Sequence, residues 1–256
     1  SADSLQSEFS QAGRTPDLPT NSELSRADTC ALHSGGQEVI CAHQKTSAPG
    51  DTAMKYDLFQ AMLEVIAVEY ETECDPLGPQ TAQTLMVTPS PVAFDPLPLG
   101  AFDAKIRAVL ATSNHPVARA ALAAQEQVPW GSNPVEDLTE DSIAAMISVA
   151  TLMGPDGPIP APDVRLGLVY MRPDSYYPLH LHDADETYVI VAGQALWTAV
   201  EDVRMRGAGE MIHHPSLMPH AFWTDPEGFL AIWRWGGDIN THSYAFVEDL
   251  GGVLLA

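Results

Sequence analysis

The chain reads as mainly β, an antiparallel barrel or sandwich preceded by an α-helical N-terminal extension. Three observations support this. The apolar period changes from 3.6 to 2 after a Gly-Pro-rich link at 154–162; short runs rich in Val, Ile, Tyr, Trp and Phe then follow closely; and turn signals separate them. With 256 residues, 45% hydrophobic and 18% charged, the chain can build one large domain with an extension.

Residues 1–50 are rich in Ser, Thr, Gly, Gln and Pro and read as a loosely held arm. There His33 and His43 flank Cys41 at an irregular spacing that suits no metal site. Residues 51–153 read as a helical region packed on the barrel. Leu58, Met62, Val65 and Ile66 recur at i, i+4, i+7 and i+8 on one buried face, with Asp51 or Thr52 as cap. Ile106, Val109 and Leu110 mark a second helix, which Pro116 separates from an alanine-rich segment at 117–124. Ile143, Met146, Ile147 and Ala150 mark a third, stopped by Gly154 and Pro155. Residues 154–256 form the barrel, with strands over 164–171, 187–191, 195–200, 211–213, 220–224 and 229–235. Turns fall at Ala192-Gly193, 207–209 and 225–228.

Composition excludes several function classes. Twelve Lys plus Arg against 34 Asp plus Glu give a net charge of −22, so phosphate backbones and anionic lipid surfaces would repel the chain. The apolar stretch at 58–68 is interrupted by Glu64 and followed by Glu69, well short of the ~20 apolar residues a membrane span needs. Three cysteines, Cys30, Cys41 and Cys74, with no C-x-x-C spacing, form neither a disulfide framework nor a zinc knuckle. The expectation is a soluble, cytoplasmic protein without nucleic-acid or membrane partners; a homodimer stays open, and a signal peptide already trimmed would leave no trace.

Six of the nine histidines (His180, His182, His213, His214, His220 and His242) lie in the β region. His180-Leu-His182 projects two imidazoles from one face of an extended strand, Glu186 follows after a short Asp-Ala-Asp segment, and Gly193 closes the strand. A second cluster, Gly209-x5-Pro215-x4-His220, offers a third imidazole. Imidazoles with one carboxylate suit a borderline divalent metal.

These two clusters resemble the paired motifs of the cupin superfamily, which implies a double-stranded β-helix barrel with the metal inside. Asp174 and Leu217 stand where that superfamily usually carries turn glycines. A finer resemblance is to the cupin-type dimethylsulfoniopropionate lyases. It rests on Arg165-Leu-Gly, Tyr177-Pro-Leu-His180-Leu-His182, Glu186-Thr-Tyr188 and Trp235, and on a helical region in front of the barrel. The resemblance implies that His180, His182, Glu186 and His220 hold one divalent ion, with Zn, Fe, Mn, Co and Ni all open. It also implies Tyr188 as general base, and Tyr177 and Trp235 near the sulfonium of a small zwitterionic substrate.

That reaction sets three tasks. A Lewis acid must bind the carboxylate, a base must take the alpha proton, and aromatic faces must hold the sulfonium. Tyr188 lies two residues beyond Glu186 on the same strand face. Tyr176, Tyr177, Trp197, Trp223, Trp233 and Trp235 supply aromatic rings, and Arg165, Arg172 or Arg234 a partner for the carboxylate. Tyr244 is a candidate second acid or base, and His213 and His214 are expected at the rim rather than as ligands. Two other functions use the same barrel: an iron-dependent cupin dioxygenase acting on a small thiol or acid, and a non-catalytic small-molecule-binding cupin. Tyr188 divides the dioxygenase from the lyase, because oxygen activation needs no strand-mate phenolate; the non-catalytic cupin would tolerate loss of base and metal.

Overall fold

The computed structural model describes residues 49–86 and 100–247, with side chains from residue 58 onward. The expected arm lies outside these apart from its last two residues, as do Cys30, Cys41, His33 and His43. Helices α1 (Pro49–Glu71), α2 (Leu77–Met86), α3 (Asp103–Thr112), α4 (Pro116–Ala124) and the single turn α5 (Asp141–Ala144) come first. Nine strands follow among the described residues: β1 (Ile147–Gly154), β2 (Ile159–Pro160), β3 (Arg165–Met171), β4 (Tyr176–Leu181), β5 (Ala184–Ala199), β6 (Asp202–Gly207), β7 (Met211–His214), β8 (His220–Gly237) and β9 (Ala245–Phe246). No described helix is long and apolar enough to cross a membrane.

Several local expectations shift. Helix α1 starts at Pro49, two residues before the expected cap, and buries Phe59, Met62, Leu63, Ile66 and Tyr70 while Leu58 is exposed. Its apolar residues are broad enough in arc that packing, not periodicity, selects the face. Pro116 opens α4 instead of merely breaking α3. It stands at the first turn, where its missing N–H is harmless, and His115 Nδ1 caps the helix by accepting from the Val117 N–H.

The expected third helix is largely wrong, since Ile147–Gly154 is strand β1, antiparallel to β3. Nearly every β1 residue is buried, so the strand shows no alternation to separate it from a helix.

Two long strands organise the barrel. Runs read separately at 187–191 and 195–200 are one strand, β5, and those at 220–224 and 229–235 are one strand, β8; the two pair along most of their length. The turn signals between the runs are bends where the register shifts. At Gly193, φ is +71°, and a Cβ would lie 2.0 Å from the Gly228 carbonyl oxygen, so the bend accepts no side chain.

Alternation on these strands then separates two cores. Leu166, Leu168, Tyr170, Val189, Val191, Leu230 and Ile232 face the helices. Val169, Tyr188, Ile190, Phe229, Ala231, Trp233 and Trp235 face the barrel interior.

Asp174 and Leu217, at the places of the missing turn glycines, have φ of +50° and +63°. The left-handed turns are therefore kept without glycine, at a strain of about 1–2 kcal/mol each for an L-residue. Leu217 is also half exposed, so its side chain contributes little packing. Leu217→Gly is expected to raise stability in urea unfolding by about 0.5–1 kcal/mol, the relieved strain less the greater backbone entropy of glycine in the unfolded chain. A fall in the midpoint would contradict this.

Candidate metal centre

Strand β4 carries His180 and ends beside His182, β5 carries Glu186 and Tyr188, and β8 opens with His220, directly across from His180 in the ladder. The four side chains His180, His182, Glu186 and His220 are buried, and one ligand atom of each lies within 4.8 Å of every other.

Each histidine uses its Nδ1–H to donate to a main-chain carbonyl: His180 to Pro178 (2.9 Å), His182 to Ala184 (3.1 Å) and His220 to Met218 (2.9 Å). All three Nε2 atoms are thereby left for the centre, the tautomer a metal ligand needs. Both His182 Nε2 and His220 Nε2 lie 3.0 Å from Glu186 Oε2. His220 Nε2 is nonetheless buried without a hydrogen bond. Ligand atoms at about 2.1 Å from one ion and at right angles stand about 3 Å apart, so the spacing fits a shared divalent cation.

Electrostatics agree with that fit. Burial, followed by the neighbouring His220, holds His180 well below the usual imidazole range, hence neutral. Burial pushes the Glu186 carboxyl up, but the imidazoles of His182 and His220 beside it more than offset this and hold it well below the usual carboxylate range, hence ionised.

The other oxygen of Glu186, Oε1, accepts from Trp235 Nε1 at 2.8 Å. Trp235 is the cross-strand partner of Glu186, so this indole orients a candidate ligand as well as lining the cavity. Tyr188 stands two residues further along β5 on the same inward face and lines the cavity. Burial first, and Glu186 second, raise its phenol well above the usual range in the absence of a cation.

The cavity in front of the cluster has a volume of about 440 Å³ counted to its open mouth. Tyr177, Tyr188, Tyr244, Trp233 and Trp235 line it, with Val149 and Val169 as apolar wall and Asn133 in a loop that had given no sequence signal. The Tyr177 and Tyr244 hydroxyls are 2.5 Å apart, a bond either can donate.

Other expected site residues go elsewhere. Tyr176 points out of the cavity, its ring 5.5 Å from that of the half-exposed Trp223. Arg165 donates to the Ile239 carbonyl and to Asp156. Arg172 donates to Ser175, and Arg234 reaches Glu73 and Thr187 on the helix-facing side. No Arg or Lys lines the cavity among the described residues. His213 and His214 divide by strand alternation. His213 faces Thr187 and Asp185, while His214 accepts from Trp197 Nε1 and stacks on His220 with ring centroids 4.1 Å apart. His214 therefore supports a candidate ligand from behind.

A family profile described as dimethylsulfoniopropionate lyase matches residues 97–231, just over half of the chain. The chain belongs to the dimethylsulfoniopropionate lyase family. Two curated relatives in that family match over shorter stretches. Dimethylsulfoniopropionate lyase DddQ of Ruegeria pomeroyi is 38% identical over 91 residues, 35% of this chain and 45% of the relative. The putative lyase DddL of Cereibacter sphaeroides is 32% identical over 98 residues, 38% and 41% of the two chains. The matches thus span less than half the length of either relative.

Two solved structures share the fold, which is the cupin barrel. The crystal structure of Ruegeria pomeroyi DddQ superposes with a TM-score of 0.54 at 24% identity, covering 77% of this chain and 99% of that one. A structure reported with RdDddP and RnDddQII has a TM-score of 0.56 at 21% identity, covering 76% and 100%.

Two substitutions test the centre. Zinc added to the chelated protein should bind at one equivalent, and His220→Ala should weaken that binding by removing a ligand. Trp235→Phe keeps an aromatic ring but frees Glu186, and should lower zinc affinity about 10–100-fold in chelator competition. Unchanged affinity in both variants would place the ion elsewhere.

Proposed function

We propose that the protein is a metal-dependent lyase that cleaves dimethylsulfoniopropionate to dimethyl sulfide and acrylate, with Tyr188 as the general base. The observation that carries this reading is the phenol of Tyr188 in the wall of the cavity that opens onto a buried three-histidine, one-glutamate cluster, two residues beyond Glu186 on the same strand. Family membership supports the substrate class.

His180, His182, Glu186 and His220 would hold the ion. A divalent cation there supplies a Lewis acid for the substrate carboxylate and favours the ionised form of a phenol beside it. Tyr188 then takes the proton from the carbon alpha to the carboxylate. As that C–H bond breaks, its electron pair forms the carbon–carbon double bond, and the C–S bond breaks with its pair leaving on sulfur. The products are neutral dimethyl sulfide, the acrylate anion and a neutral, protonated Tyr188.

The Tyr177 and Tyr244 hydroxyls, already paired, are placed to meet substrate oxygen or to return the proton to solvent. The faces of Trp235 and Tyr177 offer the sulfonium a cation–π contact in a site with no competing cationic side chain among the described residues.

Metal-loaded protein given dimethylsulfoniopropionate should release dimethyl sulfide and acrylate in equal amounts, measured by gas and liquid chromatography. Tyr188→Phe should keep its metal and slow that release by about 10²–10⁴-fold. No release by the parent protein would end the lyase reading, and a near-parent rate in Tyr188→Phe would end the role of Tyr188.

A further inference from the structure

An indole N–H can only donate a hydrogen bond, and burying it without an acceptor is destabilising. Two tryptophans of the barrel satisfy theirs within the protein: Trp235 donates to Glu186 and Trp197 to His214. Trp233 does not. It is 4% exposed, lines the cavity, and its Nε1 has no hydrogen-bond partner. The indole lies against Gly167, its partner on β3, where a Cβ would come within 2.9 Å of Nε1. The same Cβ would lie 2.0 Å from the Ala150 carbonyl oxygen, so the β1 backbone and the indole together require glycine there.

The chemistry of the acceptor follows from the ring. The N–H edge of an indole is the positive rim of its quadrupole, which repels a sulfonium and attracts oxygen. On the lyase reading, the only oxygens of the substrate are those of its carboxylate, and no Arg or Lys among the described residues lines the cavity to meet them.

We propose that Trp233 Nε1–H is a binding group for the substrate carboxylate, donating to one of its oxygens. This inference rests on the lyase reading and adds an orientation to it. Trp233 is the cross-strand partner of Tyr188 on the inward face, and the carbon that loses its proton is bonded directly to the carboxylate. A carboxylate anchored at Trp233 brings that carbon beside the phenol.

The test uses the zinc-loaded full chain labelled with 15N at its five tryptophans and two half-substrates. Propionate carries the carboxylate without the sulfonium, and trimethylsulfonium the reverse. Propionate should move the Trp233 indole resonance downfield and trimethylsulfonium should not. That resonance is identified by its absence in Trp233→Phe or, should the variant not fold, by its Overhauser contacts to Gly167 in the parent.

Trp233→Phe should weaken propionate about 10-fold, as loss of a hydrogen bond to a charged group does, and change trimethylsulfonium less than twofold. An unmoved Trp233 resonance, equal weakening of both ligands, or no propionate binding by the parent overturns the proposal. Propionate binding with the expected shift, but no dimethyl sulfide from the full substrate, supports the carboxylate contact and overturns the lyase reading instead.

Discussion

An ionised carboxylate buried to 1% exposure is the constraint around which this barrel is arranged. Taking such a charge out of water costs several kcal/mol unless partners meet both of its oxygens. Glu186 has those partners. His182 and His220 converge on one oxygen, and Trp235 holds the other. The histidines are aimed by main-chain carbonyls two residues away, so their direction is built into the backbone of the strand ends. The unprotonated nitrogens and the carboxylate oxygen that converge there make a site for a divalent cation, which would balance the remaining charge. Tyr188, two residues further along β5, lines the cavity in front of that site.

Holding that arrangement requires strands with two different apolar faces. On β5 and β8, alternate residues pack against the helices or line the cavity, so the helical region acts as the outer wall of the sheet. Arg234 and Thr187 belong to the outer face, where they bond Glu73 from the loop after α1. Their immediate neighbours Trp233, Trp235, Glu186 and Tyr188 belong to the cavity. One-residue spacing separates structural polar contacts from chemistry, and a slip of register by one would exchange them.

The turns at Asp174 and Leu217 show a further compromise. Both keep a left-handed conformation that glycine would adopt without strain, next to β4 and shortly before β8, the strands that bring His180 and His220 together. The surrounding ladder and the bond from the Leu217 N–H to the His182 carbonyl are enough to hold the strained backbone in place.

Much of the site is legible along the chain because its members are close in sequence and strand geometry is simple. Residues two apart share a face, so His180 with His182, and Glu186 with Tyr188, can be grouped without a structure. What period cannot supply is the partner across the sheet. Trp235 bonding Glu186, Trp233 left without an acceptor beside Gly167, and His214 stacked on His220 depend on register between segments far apart in sequence. The outward turn of Arg165 and Tyr176 likewise depends on which acceptors and rings surround them.

Strand β1 was hidden for a related reason, because burial on both faces erases the alternation that marks a strand. The candidate ligand types, their spacing and a mainly β fold are legible along the chain, since these are local consequences of side-chain chemistry and backbone period. Which indole bonds Glu186 and which is left without an acceptor in the cavity is settled by the fold in three dimensions. Those contacts form when distant strands pair, and nothing local records the register in which they do.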